Sequence, residues 1–354
     1  MIEQARFREL LSQINKDRED QVGRNRDSHI MIIDGLNLFI RVFSAIPSLN
    51  DDGDHVGGVV GFLRSLGSVI RQHKPTRCIV VFDGKGGSAR RKKIYADYKA
   101  NRAVKTRLNR HEEFADIESE QDSMRHQFQR IIEYLNQLPV TLMAIDNIEA
   151  DDTIAYISKQ ILNSASQKIT IVSTDRDFLQ LVDNRIHVWS PVKKKLYTPD
   201  TMREEFGFDP SNYLLYRMFT GDASDNITGV PGVALKTLIK NYPAIVHKHL
   251  DIDAIKQYTA DQLATSKSKL YPKIQESITQ GILDRNFSLM QLYDVDIPGN
   301  AKMLILDKTR EEASRLNVLE FKKMFMQDKL YTTIKDVDTW LMNNFNTINA
   351  FTAK

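Results

Sequence analysis

The chain has 354 residues, a formal charge of +3, and 42% hydrophobic against 27% charged residues, the balance of an ordinary water-exposed globular protein. That length predicts one large domain or two. No apolar run approaches the roughly 18 residues that cross a bilayer, and one cysteine, Cys78, excludes an intrachain disulfide framework and a cysteine-based zinc site. Cys78 sits in the apolar run CIVVF and reads as a small buried hydrophobe.

Residues 2–20 read as an amphipathic helix, with Phe7, Leu10, Leu11 and Ile14 on one face. They lack the apolar core of a secretion signal, so a cytoplasmic protein is expected; no membrane partner is expected either, and separately a monomer is expected. Strands are predicted at HIMIID (29–34), CIVVFD (78–83), VTLMAID (140–146) and KITIVSTD (168–175). Helix-length segments at 57–73, about 111–138 and 152–163 separate them. This alternation predicts an α/β fold, with a mostly parallel central sheet flanked by helices. Past 190, SPVKKKLYTPD reads as a hairpin or loop. From 201 onward the chain reads as mostly helical, through MREEFG, NYLLYRMFTG, VALKTLIKNY, AIVHKHL and a run from 269 to 293. The expected organisation is an extension over 1–28, an α/β core over 29–190, a helical region over 191–298 and a helical tail over 299–354.

Each predicted strand ends near acids: Asp34, then Asp83, then Glu149, Asp151 and Asp152 in IEADDTIAYI, then Asp175 and Asp177. In an open parallel sheet, ligands bind outside the carboxyl ends of the strands. One acid suffices to cap a helix; several on one edge repel one another and call for a cation. With no His or Cys among them, the ligand set is all oxygen, which suits Mg²⁺, or Mn²⁺ in its stead. Two such ions about 4 Å apart can activate a water and stabilise the leaving oxygen of a phosphodiester. Asp146 reads as a bystander.

Between 85 and 110 the chain carries ten Lys and Arg against one acid, Asp97. Charge at that density predicts an exposed, extended or mobile segment, an arch over about 85–125. Arg90, Arg91, Tyr95 and Tyr98 interleave base-stacking rings with phosphate-binding cations. Further on, GDASDNITGVPGVALKTL (221–238) adds Asp222 and Asp225 and a turn through Gly229, Pro231 and Gly232 that opens a helix with Lys236 in its first turn. Backbone N–H groups at such a turn can hold a phosphate without reading sequence.

The ordered motifs IIDGLNL, FDGKGGSARRKKIYADYKANR, IEADDTIAYI, STDRDFLQL and GDASDNITGVPGVALKTL resemble those of the 5′-nucleases. That family comprises flap endonucleases, the 5′-nuclease domain of bacterial DNA polymerase I and free-standing phage 5′-to-3′ exonucleases of the ribonuclease H type. The chain is most similar to the phage type, over roughly residues 29–295. The resemblance implies a PIN-like, resolvase-like core with a helix-three-turn-helix region. It implies a first metal site at Asp34, Asp83, Glu149 and Asp151, supported by Asp152, and a second at Asp175, Asp177, Asp222 and Asp225. It implies that Arg91, Lys99 and Arg102 contact the scissile phosphate and 5′ strand, with Tyr98 as their aromatic neighbour. The hairpin at 229–234 would grip duplex backbone and hold K⁺, although Ala234 stands where the family carries a third glycine. The implied activity is two-metal 5′-to-3′ exonuclease and flap-endonuclease cleavage of DNA and RNA/DNA duplexes, serving primer and flap removal in replication. A sliding clamp or single-strand binding protein is implied as partner, with no clamp motif visible in 301–354. Two rivals stand beside it: a PIN-type ribonuclease acting on RNA alone, which would not need the glycine hairpin, and a non-catalytic branched-DNA binder, which tends to lose such acids.

Overall fold

The computed structural model describes residues 26–103, 107–109 and 114–352, with Arg102 and Ala103 described as backbone alone. The helix expected over 2–20 lies outside the described residues.

Strand β1 (His29–Asp34) lies at the centre of a six-stranded sheet. Parallel neighbours flank it: β2 (Arg77–Asp83) and β3 (Thr141–Ile145) on one side, β4 (Lys168–Val172) and β5 (Ile186–Ser190) on the other. Antiparallel β6 (Lys195–Tyr197) closes one edge, so SPVKKKLYTPD is the turn of a hairpin. The order β3-β2-β1-β4-β5-β6 reverses direction between β1 and β4, which leaves a crevice at their carboxyl ends.

The strands are apolar on both sides because two cores use alternate residues. Ile30, Ile32, Ile79, Val81, Ile169 and Ile171 enter one core, while Met31, Ile33, Cys78, Val80, Phe82 and Val172 enter the other. Cys78 is fully buried.

Helices α1 (Gly35–Ala45), α2 (Gly57–His73), α3 (Ala89–Ile94), α4 (Ile117–Leu135) and α5 (Ala150–Tyr156) follow the first three strands. The sequence reading missed α1 and β5. In β5 the signal was weak, an alternation of Ile186, Val188 and Ser190 with His187 and Trp189. Helix α5 runs into a π turn over Ile157–Ile161, which together make up the segment expected over 152–163.

Beyond the hairpin come α6 (Pro199–Phe206), α7 (Tyr213–Thr220), the two-residue pair β7 (Gly221–Asp222) and β8 (Ile227–Thr228), and α8 (Leu235–Asn241). AIVHKHL is a 3₁₀ turn over Pro243–Val246 and not an α-helix. Helices α9 (Ile252–Thr265), α10 (Leu270–Thr279) and α11 (Ile282–Met290) follow, and Gly281, at φ +71°, splits the expected 269–293 run into two. Phe219, Leu238, Ile274 and Leu283 share the core of the sheet's first face. Helices α12 (Gly299–Arg310), α13 (Val318–Gln327) and α14 (Val337–Asn349) complete the chain. Phe321, Phe325, Leu341 and Phe345 bury against the other face. Among the described residues no helix is long and apolar enough to cross a membrane.

Candidate metal centre and nucleic-acid interface

Three adjacent strands deliver three acids to the crevice. Asp34 ends β1, Asp83 ends β2, and Asp175 follows β4. Asp34 caps α1, accepting from the Asn37 N–H at 3.2 Å and from Ser173 Oγ at 2.9 Å. Asp83 accepts from the Ala150 N–H at 2.7 Å, which ties β2 to the start of α5. Asn37 Oδ1 accepts from the Thr174 N–H and hydroxyl at 3.1 and 2.7 Å, so the loops after β1 and β4 are stitched together. A cleft of about 780 Å³ opens here, lined by Asp34, Asp83, Glu149, Asp151 and Asp175 with Lys99 and Arg41.

Glu149, Asp151 and Asp152 present carboxylate oxygens within 4.8 Å of one another. Asp151 and Asp152 occupy the first turn of α5, where the helix dipole favours negative charge. Arg91 is 2% exposed and pairs with all three, at 2.7 Å to Asp152 and 3.3 Å to Asp151. Its Nε donates to the Leu289 carbonyl at 2.8 Å. Arg90 reaches Asp152 at 3.4 Å, and Lys99 pairs with Glu149. Lys99 holds φ at +56°, with its N–H bonded to the Asp225 carbonyl at 2.9 Å.

Asp175, Asp177, Asp222 and Asp225 form the other flank. Arg217, nine-tenths buried, donates to Asp177 at 2.8 Å and also pairs with Asp222. The sequence reading missed this residue; its signal was a charge between Leu214, Leu215 and Met218 on the buried side of an apolar helix. Asp222 also accepts from the Ser224 N–H at 2.8 Å.

The electrostatics follow from this distribution. Burial first, then Asp175 and Asp83, pushes the Asp34 carboxyl up to about 7. Burial and Asp175 likewise push Asp177 up to about 7, against the pull of Arg217. Asp83 and Asp175 are raised by loss of hydration in the cleft and then by neighbouring acids. Asp152 rises to about 6 through burial and Asp151. Burial also acts upward on Asp151, but Arg91 and Lys99 outweigh it and hold that carboxyl below its usual range. For Asp222 the upward push of burial is overcome by Ser224 and Arg217.

Part of the basic segment departs from the exposed arch expected of it, of which residues 104–106 and 110–113 lie outside the described residues. Residues 89–94 form α3, and Arg91 and Tyr98 are both 2% exposed. The Tyr98 hydroxyl lies 3.4 Å from both Glu149 oxygens, and its ring belongs to the core. In this conformation neither side chain meets solvent, because the acids desolvated beneath them need the cations and the hydroxyl more than water does. Tyr95 is half-buried under the Arg285 guanidinium, 4.6 Å from its ring centre. Lys92 and Lys93 are exposed. Arg102 lies in the 3₁₀ turn Ala100–Ala103, its side chain outside the described residues. The expected bystander Asp146 accepts from the Lys85 N–H at 3.2 Å.

At the glycine hairpin, a Cβ on Gly229 would fall 2.3 Å from the Phe219 carbonyl oxygen, so the close approach there requires glycine. Gly232 has φ +80° and is exposed, as is Lys236 in the first turn of α8.

A mostly parallel sheet thus gathers acids at its carboxyl edge beside basic residues. A family model described as the 5′-3′ exonuclease N-terminal resolvase-like domain matches residues 29–207. A 5′-3′ exonuclease of Aquifex aeolicus is 28% identical over 312 residues, 87% of this chain and 95% of its own. One from Buchnera aphidicola is 28% identical over 235 residues, 65% and 77% of the two chains. The bacteriophage T5 flap endonuclease, solved with DNA and metal ions, aligns with TM-score 0.58 at 22% identity over 85% of this chain and 99% of that one. The Rad2 catalytic core with a DNA substrate aligns at TM-score 0.50 and 13% identity, over 90% and 92%. At those identities the structural likeness is one of fold. The chain belongs to the 5′-3′ exonuclease family.

Proposed function

We propose that this chain is a structure-specific, Mg²⁺-dependent 5′-nuclease acting as exonuclease and flap endonuclease on DNA and RNA/DNA duplexes. The observation that carries the reading is the wall of Asp34, Asp83, Asp151 and Asp175 around one cleft. Burial first, and neighbouring acids after it, raise Asp34, Asp83 and Asp175 and so disfavour their bare ionised forms, and an all-oxygen donor set fits a hard divalent cation. Asp34, Asp83, Glu149 and Asp151 would hold one ion, and Asp175, Asp177, Asp222 and Asp225 a second; Mn²⁺ would substitute. When bound, such ions activate water and offset charge on the leaving oxygen. Lys99, which lines the cleft, and Arg102 would meet the scissile phosphate. Asp152 would hold Arg91 and Arg90 in place. Gly229, Gly232 and Lys236 would contact duplex backbone, with K⁺ at 229–234. Recognition would rest on shape, since these groups read phosphate and not base edges. Primer and flap removal in replication, in the cytoplasm and beside a clamp or single-strand binding protein, is the corresponding biological role.

The test is product analysis on end-labelled flap, nicked and RNA-primed duplexes with Mg²⁺ or EDTA. Mg²⁺-dependent release from a 5′ end or flap is the expected result. Cleavage of single-stranded RNA with flap DNA untouched would transfer the chain to the ribonuclease reading.

A further inference from the structure

A second cavity, also of about 780 Å³, lies on the far side of Arg41, lined by Arg41, Arg64, Arg71, Lys194, Trp189 and Trp340 among others. No acidic side chain lines it. A smaller hollow of about 280 Å³ shares Arg64, Arg71 and Trp340 and extends to Lys335 and Asp336. Arg41 also lines the acidic cleft, so the two cavities meet at one side chain.

Three separate parts of the chain build this groove. On α2, Arg64, Ser68 and Arg71 recur at helical spacing on the exposed face, while Leu63, Leu66 and Ile70 bury. Lys194, at φ +50°, sits in the turn between β5 and β6. Trp189 projects from β5 with its ring 4.8 Å from that of His73. Trp340 arrives on α14, which approaches closely because position 67 is glycine; a Cβ there would fall 3.0 Å from Asn344 and 3.1 Å from Trp340.

A run of surface cations is ordinarily a solvated face. Three observations distinguish this one. Among the described residues, Arg41, Arg64, Arg71, Lys194 and Lys335 have no ion-pair partner. Arg41 Nε is buried without a hydrogen-bond partner. Two half-buried indoles line the same concavity. Unpaired cations beside aromatic faces suit a strand of phosphates with unstacked bases.

We propose that this groove holds an unpaired nucleic-acid strand running on from the acidic cleft, with phosphates on Arg41, Arg64, Arg71 and Lys194 and bases against Trp189 and Trp340. The proposal rests on the nuclease reading and adds a place on the fold for an unpaired stretch of its substrate. That extension belongs either to the cleaved strand or to its complement; the chemistry is shared, and the test separates them.

The full chain is titrated in EDTA against three fluorescent duplexes, measured by anisotropy. One is blunt, one carries roughly ten thymidines on the 5′ end of the cleaved strand, and one carries them on the complementary strand. The wild-type chain is expected to bind one extended probe about tenfold more tightly than the blunt one. In Arg64→Glu/Arg71→Glu that ratio should collapse to near one, and the salt slope for the extended probe should fall by about two. Lys194→Glu, in an exposed turn, should lower the ratio on its own. The probe that loses its advantage identifies the strand. An unchanged ratio in these variants, or a wild-type chain that gains from neither extension, overturns the groove. Mg²⁺-dependent cleavage of the blunt probe by the wild-type chain is scored separately, so failure of the nuclease reading shows there and not in the ratio.

Discussion

The two flanks of the acidic edge solve the same electrostatic problem differently. Around Glu149, Asp151 and Asp152 the protein supplies its own cations: Arg91 buried among them, Arg90 and Lys99 at the rim. At the strand ends, Asp34, Asp83 and Asp175 have hydrogen bonds but no ion pair among the described residues. In the first arrangement the protein's own cations already offset much of the charge, and removing a partner would leave a buried charge. The second is a deficit that an external cation can fill. A cluster of carboxylates is therefore not one kind of object; what matters is whether the fold has already neutralised it.

The sharpest way to break the comparison is to neutralise the uncompensated flank. Asp34→Asn and Asp175→Asn are each expected to lower cleavage of a labelled flap about ten-thousandfold, ~5 kcal/mol of barrier. DNA binding in EDTA should persist in both, measured by anisotropy. Retained turnover in either variant would remove these carboxylates from the chemistry.

On the compensated flank the expected effect is on folding. Arg91→Leu strands Glu149 and Asp152 in the interior and should cost about 3–5 kcal/mol in urea unfolding. A midpoint within error of wild type would mean that the acids rehydrate freely and that the pairing is incidental.

The pH dependence offers another test. Asp34 and Asp177 have carboxyls raised to about 7. Between the ordinary carboxylate range and about 7 the folded protein therefore holds protons that the unfolded chain has released, and stability falls as pH rises through that window. In EDTA, Tm should drop between about pH 4.5 and pH 7. Saturating Mg²⁺ should largely remove the drop, since bound cation favours the ionised form. A Tm that climbs over this range in EDTA would contradict the assigned directions.

The smallest expected effect is at Tyr98. Tyr98→Phe gives up only two long hydrogen bonds to Glu149 and should cost about 1 kcal/mol or less. A large loss of substrate affinity with unchanged stability would instead assign the hydroxyl to the bound strand.

The acids at the strand ends were legible because the signal is local: an apolar run stopped by a carboxylate. Four strands and the α2 span were readable on the same ground. Less visible was α1, whose first turn follows Asp34 without a break. The basic segment misled for a physical reason. Counting charge in a window treats each side chain as solvated, yet Arg91 and Tyr98 are buried by acids more than 50 residues further along. Arg217 was hidden in the same way, because its partners lie on other elements.

By itself, the sequence determined the alternation of apolar runs and helical spacings and the position of acids at strand ends, all set by period and side-chain identity. Tertiary structure alone decided which charges face one another. Coulomb energy depends on separation and local hydration, and neither is defined until distant segments pack. The division of the acids into a group paired with the protein's own cations and a group that is not, and the meeting of α2, the β5–β6 turn and α14 in a basic groove, are consequences of that packing.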